Sequence, residues 1–552
     1  MKEKKYALYG IGVVLISLIG ISLAYFATQI VGKEKDISVN TKDLRIIFNN
    51  GDAITGENVV AEDNWSMTKT FSVENKSNST YKYNIVIKDL INTFKTTGYL
   101  QYKITSTDGG YNMTNFEDVP KSSKAQDIAL AYNISIDEGT TQNYTITIQY
   151  PNDENADQSD DMGTELSGKL YISEGGYPTL TYAILRDNPT ISERTDFSVI
   201  NTADTTGTIY QTNKTEDGST VYYYSGNTTN NWVKFGKYST NGPGVIGYYS
   251  DTDTRYKLYN TMDKCTSATS YNVNCSYIWN TGDDIYWRII RTNEDGSVRL
   301  LYSGNNHNTV SSYISGQMSC DIRDDTKLCM GYMYGTSDSL ENNRTNENDS
   351  SIKAYTDTWY ENNLFNNYDK YISKSAIYCN DRSTTNEYTD DDVIYGACIR
   401  LQTNYAPSYK CGEDGNGRLF ESTQAVADKF SASTTGGGNG QLKYPIALLT
   451  ADEVTFAGGV SGTNTATDNT KVWYYLNSVG DSITGGKNIY TMSPYNVYSY
   501  HAFLYTLINS YRLTAWNYGA IRPVLSLSSC VKVSGNGTPE SPYVIDYENS
   551  CK

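Results

Sequence analysis

From Leu44 to Ile172 the apolar residues of this chain recur at every second position, and this alternation constrains the fold more than any other feature. Successive side chains of a β-strand point to opposite faces, so a period of two places one apolar row on one face. Turn-forming Gly, Asn, Asp and Ser separate the runs. The pattern predicts a mainly β region, a β-sandwich of half-buried antiparallel strands over about residues 36–175. The runs are Leu44, Ile46 and Phe48; Phe71 and Val73; Tyr81, Tyr83, Ile85 and Ile87; Leu100, Tyr102 and Ile104; Ile134 and Ile136; Tyr144, Ile146, Ile148 and Tyr150; Leu170 and Ile172.

An uncharged stretch from Tyr6 to Gly32 precedes the alternating region. As a helix it would be about 40 Å long at 1.5 Å per residue, which exceeds the roughly 30 Å hydrocarbon core of a bilayer. Three lysines lie before the stretch, whereas the charges just after it balance, so we expect the amino end in the cytoplasm and the rest of the chain outside. Residues 1–35 are therefore predicted to form a transmembrane anchor.

The same stretch fits a second interpretation, a cleaved signal peptide. Ser22 and Ala24 are small residues at the third and first positions before Tyr25, the spacing typical of a signal-peptidase site. The apolar run is longer than that of a usual signal peptide, which favours retention of the helix. The two interpretations predict a membrane-anchored protein with an extracellular portion and a secreted protein that begins at Tyr25.

Three segments of this part of the chain follow one another in a recognisable order. They are SLAYFA at the end of the hydrophobic stretch, NWSMTKTFSVENKSNSTYKYNIVI, and an acidic turn before GKLYI. Over about residues 10–175 they resemble the TasA and camelysin class of exported Firmicute surface proteins. The resemblance implies a jelly-roll sandwich and removal of the signal peptide by a dedicated peptidase. It also implies self-assembly, since some members polymerise by donating an N-terminal strand to the next subunit, which would require cleavage near Ala24.

The composition changes after this sandwich. The segment TLTYAILRDNP after Pro178 predicts a short helix that ends before Pro189, and a stretch rich in Thr, Asn and Asp follows. We expect residues 176–220 to be a connector, because such a composition cannot bury a core of its own. Residues 221–548 are predicted to form a separate, disulfide-containing α+β domain.

Local signals place several elements in this second domain. Asp295 and Gly296 predict the turn of a hairpin in YWRIIRTNEDGSVRLLYSG. Ser350 is the predicted N-cap of a helix in SIKAYTDTWYENNL. Thr450 and Glu453 form a capping box that begins a helix in TADEVTFAGG.

All nine cysteines lie after residue 260. In an exported protein such sparse, locally spaced cysteines indicate disulfides rather than metal ligands. Cys398, within the apolar run from Val393 to Leu401, is left over and is predicted to be a buried thiol. The nearest pairings are Cys265 with Cys275, Cys320 with Cys329, Cys379 with Cys411, and Cys530 with Cys551.

Six motifs occur in order between residues 220 and 548. They are WRIIRTNEDGSVRLLYSG, WYENNL, YCNDRS, YPIALLTADEVTFAGG, YTMSP and GAIRPVLSL. The set resembles an uncharacterised domain of exported Firmicute and Mollicute proteins, and its ending is similar to the C-type lectin-like fold shared with formylglycine-generating enzymes. Neither member of the reactive cysteine pair of those enzymes can be placed on a cysteine of this chain, which disfavours an enzymatic function.

The net charge of −17 argues against nucleic acid or anionic lipid as a partner, because both require basic patches. One acidic loop, PNDENADQSDDMG, has carboxylates that are able to bind calcium in principle. It lacks the spacing of an EF-hand, so we expect a solvated acidic turn, no metal site and no cofactor. The loop carboxylates are Asp153, Glu154, Asp157, Asp160 and Asp161.

No catalytic motif is present in the sequence. The only histidines are His307 and His501, and neither lies in the context of a nucleophile or a metal site. If a binding face exists, the resemblance to the lectin-like fold places it on the terminal loops. The alternative is that Arg522 pairs with a buried carboxylate and the aromatic residues pack in the core. The candidate ligand-binding residues are Tyr495, Tyr498, Tyr500, His501, Asn517 and Arg522.

Three functions follow from these observations. The leading hypothesis is an exported cell-surface protein, attached to the membrane by its N-terminal helix, whose C-terminal domain binds a glycan or a protein. The second is a self-assembling structural subunit of an extracellular fibre or biofilm matrix. An exported enzyme ranks last, and we predict that the chain is not an enzyme.

Overall fold

The computed structural model describes most of the chain from residue 37 onward. The described residues are 37–41, 44–50, 54–55, 65–96, 98–153, 155, 157–161, 164–242, 245–250, 253–259, 262–267, 274–307, 313–318, 349–383, 393–413, 429–433, 440–460, 489–498, 501–506, 513–514 and 519–551. Among the described helices, none combines the length and apolar character needed to cross a bilayer. The anchor or signal predicted at residues 1–35, with its cleavage site at Ala24 and Tyr25, lies outside the described residues.

The chain divides between Gly176 and Tyr177 into two compact units. The first unit is built from strands, with a 3₁₀ turn at Ser159–Asp161. Its strands are β1 (Ile37–Thr41), β2 (Leu44–Asn50), β3 (Ile54–Thr55), β4 (Trp65–Asn75), β5 (Tyr81–Asn92), β6 (Gln101–Ser106), β7 (Glu117–Asp118), β8 (Ser122–Ile136), β9 (Thr141–Tyr150) and β10 (Leu166–Glu174).

The strands of the first unit form two antiparallel sheets around one buried cluster. One sheet has the order β1-β2-β4-β9-β6-β7 and the other has the order β3-β10-β5-β8. Along β9, Tyr144, Ile146, Ile148 and Tyr150 are buried while the intervening residues are less so. Residues from both sheets belong to the same cluster, so the sheets pack face to face. The predicted two-residue period is confirmed along β6 and β9, whereas residues 83–87 of β5 are all buried.

Carboxylates of the acidic loop in the first unit accept hydrogen bonds from protein groups. Asp161 is buried and accepts hydrogen bonds from the N–H of Lys95 (2.5 Å), the N–H of Thr96 (3.0 Å) and the hydroxyl of Tyr150 (2.8 Å). Asp153 and Asp157 each accept the N–H of the residue two positions later. Among the described residues no group of carboxylates, histidines or cysteines is arranged to hold a metal ion. Glu154 lies outside them.

The second unit combines many short strands with few helices. Its helices are α1 (Leu180–Asp187), α2 (Met262–Thr266), α3 (Ser351–Tyr360), α4 (Asn366–Tyr368), α5 (Gly396–Cys398) and α6 (Ala451–Ala457), with π-helical turns at Glu361–Phe365 and Ile399–Thr403 and a 3₁₀ turn at Asp369–Tyr371. Its strands are β11 (Thr190–Ser192), β12 (Thr208–Thr212), β13 (Val221–Tyr223), β14 (Trp232–Lys237), β15 (Val245–Ser250), β16 (Asp253–Tyr259), β17 (Asn274–Tyr277), β18 (Asp284–Thr292), β19 (Val298–Tyr302), β20 (Ser315–Met318), β21 (Tyr378–Cys379), β22 (Val393–Ile394), β23 (Lys429–Ser431), β24 (Gly440–Gln441), β25 (Ile446–Leu448), β26 (Tyr490–Tyr498), β27 (His501–Thr506), β28 (Leu513–Thr514), β29 (Gly519–Ile521), β30 (Pro523–Leu527), β31 (Val533–Ser534) and β32 (Tyr543–Ile545).

A ten-stranded sheet is the centre of the second unit. Its main path runs β11-β12-β13-β18-β14-β32-β31, and β19, β30 and β25 continue it from β18. Strands β18 and β19 are the predicted hairpin, with Asp295 accepting the N–H of Ser297 in the turn. The described tryptophans of this unit, which are Trp232, Trp279, Trp287 and Trp359, are all buried.

The segment 176–220, predicted to be a connector, is instead part of the second unit. Strands β11 and β12 add to the central sheet, and Leu180 and Ile184 of α1 are buried in the main hydrophobic cluster. The prediction is wrong because it considered only whether this polar segment is able to bury a core of its own. A strand needs only backbone hydrogen bonds to extend an existing sheet, and β12 obtains them from β13.

Three of the four predicted disulfides are present among the described residues. They join Cys265 to Cys275, Cys379 to Cys411, and Cys530 to Cys551. Cys320 and Cys329 lie outside the described residues. Cys398 is buried, as predicted, and its Sγ donates to Gln402. Disulfides of this kind are typical of proteins in an oxidising, extracellular environment.

The turn in the C-terminal motif SGNGTPESPYVI gives a sharp test of this fold. Gly537 has φ +80°, and a Cβ added there would lie 2.4 Å from the carbonyl oxygen of Asn230. Gly282 also has a positive φ, +91°, but an added Cβ there would meet nothing within 4 Å. We therefore expect Gly282→Ala to cost about 1–2 kcal/mol of unfolding free energy through backbone strain alone. Gly537→Ala is expected to cost at least about 3 kcal/mol, because a clash adds to the same strain.

Urea denaturation followed by tryptophan fluorescence measures both variants, since the buried tryptophans of the second unit report on its unfolding. Equal losses in the two variants would contradict the close approach of Gly537 to Asn230.

Candidate functional site

The start of helix α6 organises the candidate site. Strand β25 leads into Thr450, whose side chain accepts the N–H of Glu453 at 3.1 Å. In return Glu453 accepts the N–H of Thr450 at 3.0 Å, so the predicted capping box is present. These two bonds satisfy the free backbone groups at the start of the helix and fix the Glu453 carboxylate.

The second oxygen of Glu453 is occupied by two arginines from the β18–β19 hairpin. Arg299 donates from Nη1 at 2.7 Å and Arg291 donates from Nε at 3.4 Å. Arg291 also lies over the ring of Tyr409, and Arg299 over that of Tyr378, at 4.2 and 4.3 Å from the ring centres. Each guanidinium is therefore held by a carboxylate on its edge and an aromatic ring on its face.

The environment of Glu453 keeps it ionised. Burial raises the pKa of Glu453, but the positive charges of Arg299 and Arg291 and the N–H of Thr450 outweigh that effect, so the pKa lies below its ordinary value. A general acid for hydrolysis needs a pKa raised toward neutrality. Glu453 is therefore suited to bind and orient cationic groups and unsuited to donate a proton near pH 7.

Asp452 forms a second buried ion pair beside the first. Arg400 donates to both its oxygens, from Nε at 3.1 Å and from Nη2 at 2.8 Å. Arg400 also pairs with Asp381 and donates to the carbonyl oxygen of Glu413. The N–H of Ser408 donates to Asp452 at 2.9 Å. This bidentate arrangement ties α6 to the Ile399–Thr403 turn.

Two partly exposed carboxylates stand at the mouth of the pocket beside this network. Glu216 accepts the N–H of Cys411 at 2.7 Å and the ammonium of Lys429 at 2.5 Å. Glu294 lies 3.7 Å from Nη1 of Arg291. The Cys379–Cys411 disulfide closes one side. The pocket is lined by Glu216, Arg291, Glu294, Arg299, Ile377, Cys379, Ser408, Tyr409, Thr450, Asp452 and Glu453.

This pocket presents fixed, charged hydrogen-bonding groups to a ligand. Its described lining contains no histidine, and the hydroxyl of Ser408 donates to Glu413 at 2.7 Å. The carboxylate of Glu413 is therefore the hydrogen-bond partner of this hydroxyl, and the fixed ion pairs beside it are suited to hold a polar ligand.

Most of the sequence-predicted binding residues have no described side chain. The backbone places Tyr495 and Tyr498 on β26 and His501 on β27, and the strand register pairs Tyr498 with His501. Tyr500 and Asn517 lie outside the described residues. Their role in ligand binding stays a prediction.

Arg522 is not on the surface, contrary to the expectation for a ligand-binding residue. Its side chain is only 1% exposed, and its Nε donates to the carbonyl oxygen of Tyr302 at 2.7 Å. It lies between β29 and β30, where the neighbouring Ile521 and Val524 are also buried. Burial of Arg522 is what the alternative interpretation of the sequence predicts, and the acceptor of its Nε is the carbonyl oxygen of Tyr302.

Sequence reasoning missed the buried network around Glu453 and Asp452. A signal for it was available, since Arg291, Arg299 and Arg400 interrupt the apolar runs WRIIRT, VRLLY and ACIRLQ. A charged residue within a buried run requires a buried partner.

Comparison of the chain with protein-family models and with curated protein sequences gives no match.

Proposed function

We propose that this chain is an exported cell-surface protein whose second unit binds a glycan or a protein ligand in the pocket beside α6. The observation that carries the proposal is the cluster of fixed charges around this cavity, whose volume of about 20 Å³ admits little more than a water molecule, so that a ligand would bind on its rim beside the partly exposed Glu216 and Glu294. Groups that are held in place before binding lose little conformational entropy when a ligand arrives. The disulfides support the extracellular location.

The finer fold assignments belong to the same proposal. We propose a jelly-roll sandwich for the first unit, supported by its two face-to-face antiparallel sheets. We propose a C-type lectin-like ending for the second unit on the ordered motifs of the sequence. The uncharged stretch from Tyr6 to Gly32 supports attachment to the membrane or cleavage at Tyr25. Mass spectrometry of the mature N-terminus separates these two cases.

Binding of the purified full chain to panels of immobilised glycans and surface proteins tests this function. We expect saturable binding that Glu294→Ala weakens about ten-fold, because this variant removes a carboxylate from the pocket mouth. Glu540→Ala, which removes an exposed carboxylate elsewhere in the same unit, is expected to bind normally. A folded protein that binds nothing on either panel would contradict the proposal.

A structural subunit is the second candidate, and one observation favours it. Among the described strands, β1 lies at the edge of its sheet and pairs only with β2. An N-terminal edge strand of this kind is able to pair with another subunit instead. Electron microscopy of protein that begins at Tyr25 should then show fibres that the full chain does not form. Dispersed particles in both samples would count against assembly.

A further inference from the structure

A second surface of the second unit exposes aromatic rings. Tyr547 is 37% exposed and Phe365 is 44% exposed, although both are large aromatic residues. The ring of Tyr547 lies 5.6 Å from that of Tyr368, and Tyr368 is half-buried. The ring of Phe365 packs on that of Tyr444, with 5.3 Å between the ring centres. We call Tyr368 and Tyr547 the aromatic platform.

The two tyrosines of the platform are anchored through their hydroxyl ends. Gly236 of β14 donates its N–H to the hydroxyl of Tyr547 at 2.9 Å. Burial raises the pKa of Tyr368, and the backbone N–H of Lys237, which faces its hydroxyl, acts in the opposite direction. Both hydroxyls are thus directed at neighbouring amides of one strand. Solvent therefore reaches mainly the apolar carbon surface of the rings.

The backbone that carries Tyr547 is fixed as well. Its carbonyl oxygen accepts the hydroxyl of Tyr371 at 2.7 Å, and the two rings lie 5.2 Å apart. The Cys530–Cys551 disulfide links the two ends of the segment that contains Tyr547. A rigid aromatic surface loses little entropy when a ligand binds to it.

Charged groups of both signs border the platform. Asp284 pairs with Lys237 at 2.5 Å and with Lys234 at 3.2 Å. Its negative charge contributes to raising the pKa of Tyr547 and of Tyr368. The border therefore offers hydrogen-bond donors and acceptors together, and both ammonium groups pair with the same carboxylate.

We propose that the aromatic platform is a separate binding site for a pyranose unit of a neutral oligosaccharide. The C–H face of a sugar ring is apolar and packs on aromatic carbon, while its hydroxyls donate to and accept from a mixed polar border. Because Lys234 and Lys237 both pair with Asp284, the border favours a neutral sugar over an acidic one. None of the platform residues lines the pocket beside α6, so the two proposals stand or fall separately.

An array of immobilised neutral oligosaccharides, followed by titration calorimetry on the full chain, tests the platform. We expect Tyr547→Ala to raise the Kd at least about ten-fold, which corresponds to one lost aromatic contact. Tyr547→Phe is expected to bind within about two-fold of the unsubstituted protein, because the ring surface remains. Tyr182→Ala is the matched control, since Tyr182 is also 37% exposed but lies on α1.

Three outcomes would contradict the proposal that the aromatic platform binds a sugar. The first is equal binding by Tyr547→Ala and Tyr182→Ala, and the second is an array on which no neutral oligosaccharide binds. The third is a loss of sugar binding in Glu294→Ala but not in Tyr547→Ala, which would assign the sugar to the pocket and leave the proposed function intact. A thermal unfolding transition of Tyr547→Ala close to that of Tyr547→Phe excludes misfolding as the cause of lost binding.

Discussion

The substitution Glu453→Gln should lower the free energy of unfolding of the second unit by about 3–5 kcal/mol. Glu453 is 1% exposed and its carboxylate balances Arg299 and Arg291, which are also buried. The amide has nearly the same shape, so little packing is lost. It leaves Arg299 in a low-dielectric site without its carboxylate and Arg291 with only the more distant Glu294, and an uncompensated buried charge costs more than the lost hydrogen bonds.

Urea denaturation of the full chain, followed by tryptophan fluorescence, measures this loss. Six of the seven tryptophans lie after residue 177, so the signal reports mainly on the second unit. Glu361→Gln makes the same chemical change at an exposed ion pair with Lys443, whose two side chains are 51% and 59% exposed. It should cost less than about 1 kcal/mol. A similar small cost for Glu453→Gln would show that the network contributes no net stability.

The same variant has a signature in the pH dependence of stability. The folded-state pKa of Glu453 lies below its ordinary value of 4.5, so its contribution is fully present above that pH and is lost as the pH falls through the folded-state pKa. The free energy of unfolding, measured from pH 7 down to the pH of acid denaturation, should therefore fall less steeply for Glu453→Gln than for the unsubstituted protein. Parallel curves would mean that Glu453 titrates normally.

Removal of the Cys379–Cys411 disulfide should cost about 3–4 kcal/mol. The two cysteines are 32 positions apart, and a cross-link over such a loop restricts the unfolded chain by roughly that amount. The double variant Cys379→Ala and Cys411→Ala avoids a reactive single thiol. The cost should be accompanied by weaker ligand binding in the pocket beside α6, since the bridge lines it.

The shorter Cys265–Cys275 bridge is the matched control for this prediction. It spans a separation of 10, so its double alanine variant should lose about 2.7 kcal/mol and retain pocket binding. Denaturation under non-reducing conditions compares the two variants. If removal of the longer bridge lowers the free energy of unfolding less than removal of the shorter one, restriction of the unfolded chain does not explain the stabilisation in this protein.

Features set by neighbouring residues were predictable from the sequence. The alternation through Tyr144 and Ile146 gave the strands of the first unit, since the period of a strand is local. The capping box of Thr450 and Glu453 needs only four residues to be recognised. The described disulfides join cysteines that are near each other in sequence, which is why the nearest pairings were correct.

Features that depend on distant partners were not predictable. Arg299 and Glu453 are 154 positions apart, and only the folded sheet brings them together. The platform joins Tyr368 to Tyr547 across a similar distance in sequence, and neither residue is unusual in a chain with 51 tyrosines. The burial of Arg522 likewise depends on β19, whose residue Tyr302 supplies its acceptor. Local patterns contain no information on such pairs.

The position of β32 in the central sheet has a consequence for the order of folding as the chain is synthesised. Strand β32 inserts between β14 and β31, and β14 lies near the beginning of the second unit. The N–H of Leu180 likewise donates to the carbonyl oxygen of Val531. A chain that emerges amino end first can complete the first unit early. The second unit must wait, with β14 unpaired on one side, until residues 543–545 have been synthesised and have left the ribosome.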